Sequence, residues 1–503
     1  MKSKKALWNV IINTMAQIVN VVLSFAARKV FLVTLGMDML GLNSVFSSIL
    51  GFLSLTELGL GVSVSVCLFK PLAENNKKAV ASYMNYLRKM YYLVGGFILI
   101  AGISLLPFLS YIVNGNYEIN YVRKAFVLYL LSTVVSYFFS HKKVLLNADQ
   151  KSYIVTASQM IYKIVVNGLQ ITSLLLFKNY YLFLAINIVC SFTECYVVSV
   201  LCNKQYPYLK HSKESIDLEE KENLISKVKG MVCYKVGNYL IEGTDNIILS
   251  TFLGTVVVAY YSNYYLIINM LFAIFAGVAT SSVAGLGNIL YSDKEYFTMA
   301  FRKLQLLQHL VFSFSATALF VLSTDFVDLF FGKESVLPTE VILIMVAVYY
   351  IKGYSQGLEA LRTSLGRYEK DRYINLAIAV LNVVISVGLV KSLGVAGVLL
   401  GTLICYCIKE LVVLPFYVMK DVEQEFAKRY LLEMGEHLLV TLSIMIIMYG
   451  IHMKFFLINE YVTWVMNGLI CFAITMGVNV GLYRKSAEYL QLKDMVLTML
   501  KKR

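Results

Sequence analysis

Charge is scarce in this sequence. Only 15% of its 503 residues are charged, where an ordinary soluble chain carries about a quarter. Five prolines in the whole chain leave its apolar runs long and uninterrupted. Those runs reach ~20 residues or more, which excludes the ~10-residue alternating segments of a membrane β-barrel. Catalytic signatures are missing as well: there is no Walker A sequence, no HExxH and no Gly-x-Ser-x-Gly. Asp325 and Asp328 lie near an outer helix end and do not form a cytoplasmic DxD-type motif. ATP hydrolysis is not expected, and the chain does not read as an enzyme. The eight cysteines sit in or at the ends of apolar segments without zinc-type spacing. They read as small apolar residues in helices. His309 and His437 read as lone structural histidines. The lysines and arginines fall between apolar runs and form no basic domain, so nucleic-acid binding is not the default reading.

What remains is apolar sequence, 58% hydrophobic with mean hydropathy +0.68. The class it implies is an all-α polytopic membrane protein. Fourteen spans are expected, near 7–34, 40–69, 90–113, 122–141, 153–177, 180–202, 230–252, 257–290, 303–331, 338–362, 373–390, 394–419, 432–453 and 461–483. Loops after even-numbered spans carry most of the cations, among them Lys77, Lys78, Lys142, Lys143, Lys210, Arg362 and Lys420. Loops after odd-numbered spans are short and poor in cations apart from Arg123 and Lys124. The positive-inside rule then puts both termini in the cytoplasm. Met1-Lys-Ser-Lys-Lys5 resembles the start of a signal peptide, but the apolar stretch runs to about residue 35 without a small-residue cleavage site, so a retained first helix is expected.

The first span carries a polar stripe, Asn9, Asn13, Gln17, Asn20, Ser24 and Arg28, at the three- and four-residue steps of one helix face. In hydrocarbon such groups usually face a bundle interior or a water-filled cavity. Leu35-Gly36 recurs as Leu253-Gly254, and Leu146-Asn-Ala-Asp-Gln-Lys151 resembles Leu365-Gly-Arg-Tyr-Glu-Lys370, at offsets of 218 and 219. Two matches so far apart at nearly one offset suggest a duplication. With six spans per half the repeat is parallel. The domains expected are a first lobe over 1–203, a cytoplasmic linker over 204–229, a second lobe over 230–420, two further spans over 421–485 and a basic tail over 486–503.

An offset of 218 carries Gln17, Asn20, Ser24 and Arg28 onto Lys235, Asn238, Glu242 and Asn246, with Asp245 alongside. Further stripes are Gln159, Lys163, Asn167 and Gln170 on the fifth span and Lys352, Gln356, Glu359 and Thr363 on the tenth. Asn43 and Glu57 lie on the second span. A charge at the centre of an inserted helix costs roughly 2.5–3.5 kcal/mol. Lys163, Lys235, Lys352, Glu242 and Glu359 are therefore candidates for lining a cavity, against the plainer reading of structural ion pairs. Isolated Asn or Ser residues are as readily interhelical glue.

Longer motifs carry a family resemblance. Asp245-Asn-Ile-Ile-Leu-Ser250, Tyr260-Tyr-Ser-Asn-Tyr264 and Gly287-Asn288 resemble the central segment of the Wzx-type oligosaccharide flippases, the bacterial polysaccharide-biosynthesis membrane proteins. Glu57-Leu-Gly-Leu-Gly61 resembles their second helix, and Gly394-Val-Ala-Gly397 with Gly401-Thr402 and Pro415-Phe-Tyr417 resembles their twelfth. The resemblance implies the fold of the multidrug/oligosaccharidyl-lipid/polysaccharide exporter superfamily, with two six-helix lobes around a cavity and two further helices. It implies a bacterial cytoplasmic-membrane protein that flips an undecaprenyl-diphosphate-linked oligosaccharide to the outer leaflet. Membrane lipids, glycan polymerase and assembly proteins are the partners it suggests.

On that footing Arg28, Lys163, Lys235 and Lys352, with Asn20 and Asn238, are substrate-binding candidates, the cations through charge-assisted hydrogen bonds to a diphosphate. Glu57, Glu242, Asp245 and Glu359 are candidates for coupling to a H⁺ or Na⁺ gradient, or for balancing the lysines; membrane potential is a further drive. No cofactor is expected. A lipid II flippase and a multidrug exporter of the same fold are the near alternatives. A membrane glycan polymerase or ligase is the distant one, disfavoured because no outer loop exceeds about ten residues.

Overall fold

The computed structural model describes residues 2–54, 60–210, 212, 214–292, 294–364, 372–419, 424–454 and 460–501. Within those ranges the side chains of 2–18, 62, 218, 223, 226–231, 233–235, 238, 278–292, 294–295, 364, 372, 419, 424–425 and 495–501 lie outside the description. The chain divides into two compact units, 1–259 and 260–503.

The first unit contains α1 (Lys2–Leu53), α2 (Leu60–Ala73), α3 (Lys77–Ser104), the short α4 (Leu109–Ile112), α5 (Ile119–Ala148), α6 (Ser152–Phe177), α7 (Tyr180–Gln205), α8 (Leu218–Gly243), α9 (Asp245–Leu253) and the start of α10 (Thr255–Ser292). The second holds the rest of α10, then α11 (Lys294–Phe331), α12 (Thr339–Tyr354), α13 (Gln356–Ser364) and α14 (Arg372–Tyr406). A π-helical turn, Cys407–Val413, leads into α15 (Leu414–Met419), followed by α16 (Gln424–His452), α17 (Glu460–Tyr483) and α18 (Ala487–Lys501). Among the described residues there is no strand.

Eleven helical stretches among the described residues are long and apolar enough to cross a membrane. Two of them, Val19–Leu53 and Tyr373–Val418, each take in parts of two expected spans, because a glycine breaks the helix without ending it. Gly36 has φ +85° and ψ 174°, and Gly394 has φ +58° and ψ −133°. The seventh expected span is met by α8 and α9 together. Several stretches are longer than hydrocarbon requires. The 38 residues of α11 would extend about 57 Å at 1.5 Å per residue, so the helix tilts or projects past the bilayer core.

The Leu-Gly correspondence has a backbone counterpart. Gly254, between α9 and α10, has φ +95° and ψ 165°, close to the geometry of Gly36 218 residues earlier. A side chain would be strained at either position, which is why glycine is needed. The second matching motif has only one described copy, since 365–370 lie outside the described residues. In the described copy Gln150 turns the chain with φ +57°. Asp149 accepts from the Tyr206 hydroxyl at 2.7 Å and pairs with Lys151 at 2.7 Å. Burial first, then the bond to Asp149, raises the Tyr206 phenol above its ordinary pKa, so it stays a donor.

Within the first unit α1 packs along α6, and α5 along α3 and α7. α8 and α9 also pack here, against α1. One close approach depends on a missing side chain. A Cβ on Gly41 would come within 1.8 Å of the Thr255 carbonyl oxygen. Thr255 is itself a junction: its amide donates to the Asn114 carbonyl at 3.0 Å, and its hydroxyl lies 3.1 Å from the Tyr117 hydroxyl. Within the second unit Val321, Ile444, Met448 and Cys471 form a shared core of α11, α16 and α17.

Candidate functional site

Two of the predicted residues meet in the first unit. The Lys163 ammonium donates to Asn20 Oδ1 at 2.8 Å, joining α6 to α1. Both side chains are half-buried. The packing of α1 along α6 sets this contact, and the Asn167 amide caps the backbone carbonyl of Lys163 at 2.7 Å. Lys163 thus has one fixed neutral acceptor, leaving two of its three donors for other acceptors. Arg28 lies eight residues beyond Asn20 on α1, about two turns further along. It is half-buried and engaged with neighbouring groups.

The polar face of the seventh span is interrupted. The helix ends at Gly243 and restarts at Asp245, which is 1% exposed and opens α9. A carboxylate in a first turn is favoured by the helix dipole. Glu242 is half-buried at the end of α8, and it and Asp245 both have interaction partners. Asn246 donates to the Ser48 hydroxyl at 2.9 Å, and the Tyr239 hydroxyl donates to the Ser48 carbonyl at 3.0 Å. A Cβ on Gly51 would meet the Tyr239 oxygen at 1.9 Å, so Gly51 makes room for this docking. Ser48, Gly51 and Tyr239 escaped the sequence reading; the signal was a small-residue run, Ser47-Ser48 to Gly51, on an otherwise apolar face. The Lys235 and Asn238 side chains, together with Glu57, lie outside the described residues.

Other members of the stripes are interhelical glue. Asn43 accepts from the Tyr180 hydroxyl at 3.0 Å, and Gln170 donates to the Phe183 carbonyl at 3.0 Å. Both bonds fasten α7, to α1 and α6 respectively.

The second unit holds a buried ionic cluster. Glu359 on α13 pairs with Arg362 at 3.1 Å and with Lys409 at 3.3 Å, and Lys409 pairs with Glu410 at 2.8 Å. Arg362 is 0%, Lys409 5% and Glu410 2% exposed. Two cations and two carboxylates balance one another, as burial of charge demands. The expectation for Arg362 was a cytoplasmic loop; instead one helical turn past Glu359 carries it into the interior. Lys409 and Glu410 were missed although they stand as a charged pair inside an apolar run. They fall on the π-helical turn, a distortion frequent at functional sites. The Lys352 ammonium lies 4.4 Å from the Phe272 ring centroid, a cation–π arrangement.

The two histidines are not lone. The His309 and His437 rings stack at 4.1 Å and 5°. His309 bonds the Tyr350 hydroxyl at 3.1 Å and Asn479 Oδ1 at 2.9 Å, and His437 bonds the Tyr354 hydroxyl at 3.0 Å. Four helices, α11, α12, α16 and α17, therefore meet at one polar knot. Sequence separation of 128 residues concealed the pairing. The seven described cysteines are free thiols, and no cluster of metal-ligating side chains occurs among the described residues.

No protein-family model matches the sequence, and no curated protein matches it. Solved structures do. The chain is similar to the lipid II flippase MurJ in an inward closed conformation, with TM-score 0.67, 15% identity, and coverage of 95% of this chain and 99% of that one. It is also similar to an inward-facing multidrug resistance MATE family transporter of the MOP superfamily, with TM-score 0.64, 15% identity, and coverage of 82% and 96%. The fold is that of the MOP-superfamily transporters. A third member, from Pyrococcus furiosus, aligns with TM-score 0.56, 13% identity, and coverage of 82% and 95%; it is described as having a binding pocket of reverse polarity that suggests a different function. The MurJ match extends over nearly all of this chain, while the MATE match leaves almost a fifth of it unaligned.

Proposed function

We propose that this protein is a flippase that carries an undecaprenyl-diphosphate-linked oligosaccharide from the cytoplasmic to the outer leaflet of a bacterial cytoplasmic membrane, by alternating access, for surface polysaccharide assembly. The observation that carries this reading is the Lys163–Asn20 contact at 2.8 Å. It holds an ammonium within two apolar helices with donors to spare, which suits a diphosphate. Arg28 further along α1 is the second cation for the same group, and Lys235 and Lys352 are the remaining candidates. Glu242 and Asp245, at the break between α8 and α9, are candidates for H⁺ or Na⁺ coupling. Glu359 fits the role of balancing Lys409 and Arg362 better. Both termini are assigned to the cytoplasm on the cation pattern.

A lipid II flippase is the second reading, favoured by the coverage of the MurJ match. The two separate in cells. Loss of the gene is expected to abolish a capsule- or O-antigen-like surface glycan and to accumulate its lipid-linked repeat inside, with peptidoglycan synthesis intact. Arrest of peptidoglycan synthesis instead would establish the second reading and overturn the first.

A further inference from the structure

A second cationic site in the first unit is lined by neither Lys163 nor Arg28. A cavity of about 200 Å³ opens where α3, α5, α7 and the segment after α7 come together. Its polar lining is Arg88, Lys142, Lys210, His141, Asn85 and Asn203. Among the described residues no carboxylate lines it. Glu194, on α7, is paired with Lys143 at 2.7 Å, and Asp149, at the end of α5, with Lys151. Asn85 spends its amide on the carbonyls of Ser212 and Glu214, which pins the linker beside the cavity. Arg88 also borders the neighbouring 440 Å³ cleft, where Glu214 lies.

Two features point to a ligand rather than to a solvated cationic rim. His141 is 5% exposed, and its Nδ1 has no hydrogen-bond partner among the described residues. A buried polar atom without a partner is costly and unusual, and here it borders a cavity of cations. Tyr92 and Phe138, which also line the cavity, stand exposed with ring centroids 5.5 Å apart. Tyr92 also meets the His141 ring edge-on at 6.5 Å. An anionic pocket-filler therefore has exposed aromatic surface directly against it. The cavity lies at the end of the unit that carries the loops after even-numbered spans, the face the cation pattern assigns to the cytoplasm. Basic pockets between spans on that face suit anionic lipid headgroups.

We propose that this cavity binds the phosphate headgroup of an anionic membrane lipid through Arg88, Lys142, Lys210 and His141, with the lipid's acyl chains lying along Tyr92 and Phe138. This site is separate from the transport site and does not depend on what the protein carries. Lys142 already donates to the Ser199 hydroxyl, so its ammonium is positioned before a lipid arrives. Arg88 and Lys210 are exposed and can be changed without disturbing packing.

Native mass spectrometry of the detergent-solubilised full chain, titrated with phosphatidylglycerol, phosphatidylcholine or inorganic phosphate, tests this. The wild type is expected to retain phosphatidylglycerol in preference to phosphatidylcholine. Retention by the R88Q/K210Q variant is expected to fall roughly tenfold or more, the scale set by losing two cations near an anionic lipid. The K78Q/K204Q variant changes two exposed lysines of the same face that do not line the cavity, and should match the wild type. Equal phosphatidylglycerol retention by R88Q/K210Q and wild type would overturn the proposal. Displacement of phosphatidylglycerol by equimolar inorganic phosphate would also overturn it, by showing a soluble-phosphate site in place of a lipid site.

Discussion

Lys163 and Asn20, 143 residues apart in sequence, meet at 2.8 Å across two apolar helices. Asparagine holds the ammonium without neutralising it, in contrast to Lys409, which is neutralised by Glu359 and Glu410. On the proposed function, K163Q keeps the size and the hydrogen bond but removes the charge. Losing one charge-assisted bond of about 1.5–3 kcal/mol weakens substrate binding roughly tenfold or more. N20A leaves the charge and should weaken binding less. Binding of a fluorescent polyprenyl diphosphate to both purified variants measures the difference.

The ionic cluster of the second unit predicts an asymmetry in stability. E359Q leaves Arg362 and Lys409 with one carboxylate between them. Breaking a buried pair from one side typically costs about 3–5 kcal/mol, while replacing both partners by apolar groups is close to neutral. The E359Q variant should therefore melt well below the wild type in detergent. The double variant E359M/R362M, which removes one pair from both sides and leaves Lys409 with Glu410 at 2.8 Å, should recover much of the loss. A double variant that adds the two single losses would refute the coupling.

Gly36 and Gly254 predict effects of one kind but different size. Alanine at either must adopt φ near +85° or +95°, at a cost of about 1–3 kcal/mol. G254A meets an additional contact, with its Cβ 3.2 Å from the Asn114 carbonyl, whereas Gly36 has open space around it. G254A should thus lower the melting temperature more than G36A. G41A should be the most severe of the three, because its Cβ would overlap the Thr255 carbonyl.

The histidine stack predicts a local packing cost. H309F keeps a stacking ring but strips bonds from Tyr350 and Asn479. The Tyr350 hydroxyl still has Thr441, but Asn479 Oδ1 loses its bond, and a buried polar group left unsatisfied costs about 1–3 kcal/mol. The variant should be less stable than wild type, with slower amide exchange lost first in α12 and α17, the helices that carry those two partners. Unchanged exchange in both helices would contradict this account of the knot.

Much of the fold was legible because helix period and apolar length are local properties. The breaks near 35 and 392 were visible in Leu35-Gly36 and Gly394, and the structure puts a non-helical glycine at each. Lys163 and Asn20 were legible as polar positions, but their contact was not, since nothing in either helix names its neighbour. Partner identity also hid the roles of Asn43 and Gln170, which look like cavity residues until Tyr180 and the Phe183 carbonyl are found beside them. Arg362 was misplaced for an opposite reason. Counting cations by loop treats a residue at a span's end as solvated, whereas one helical turn put it inside. Lys409 and Glu410 were missed because an adjacent opposite pair lowers the net charge of its window and leaves the apolar run intact.

The central claim is that the chain moves a diphosphate-linked glycan lipid and uses Lys163 to do it. The most direct measurement is flipping of a fluorescent polyprenyl-diphosphate oligosaccharide by purified protein in proteoliposomes, with wild type, K163Q and empty vesicles compared, and with lipid II as an alternative substrate. The account predicts protein-dependent flipping of the oligosaccharide by wild type, a loss of roughly tenfold or more in K163Q, and little movement of lipid II. Flipping by K163Q at the wild-type rate, or movement of lipid II alone, would contradict it.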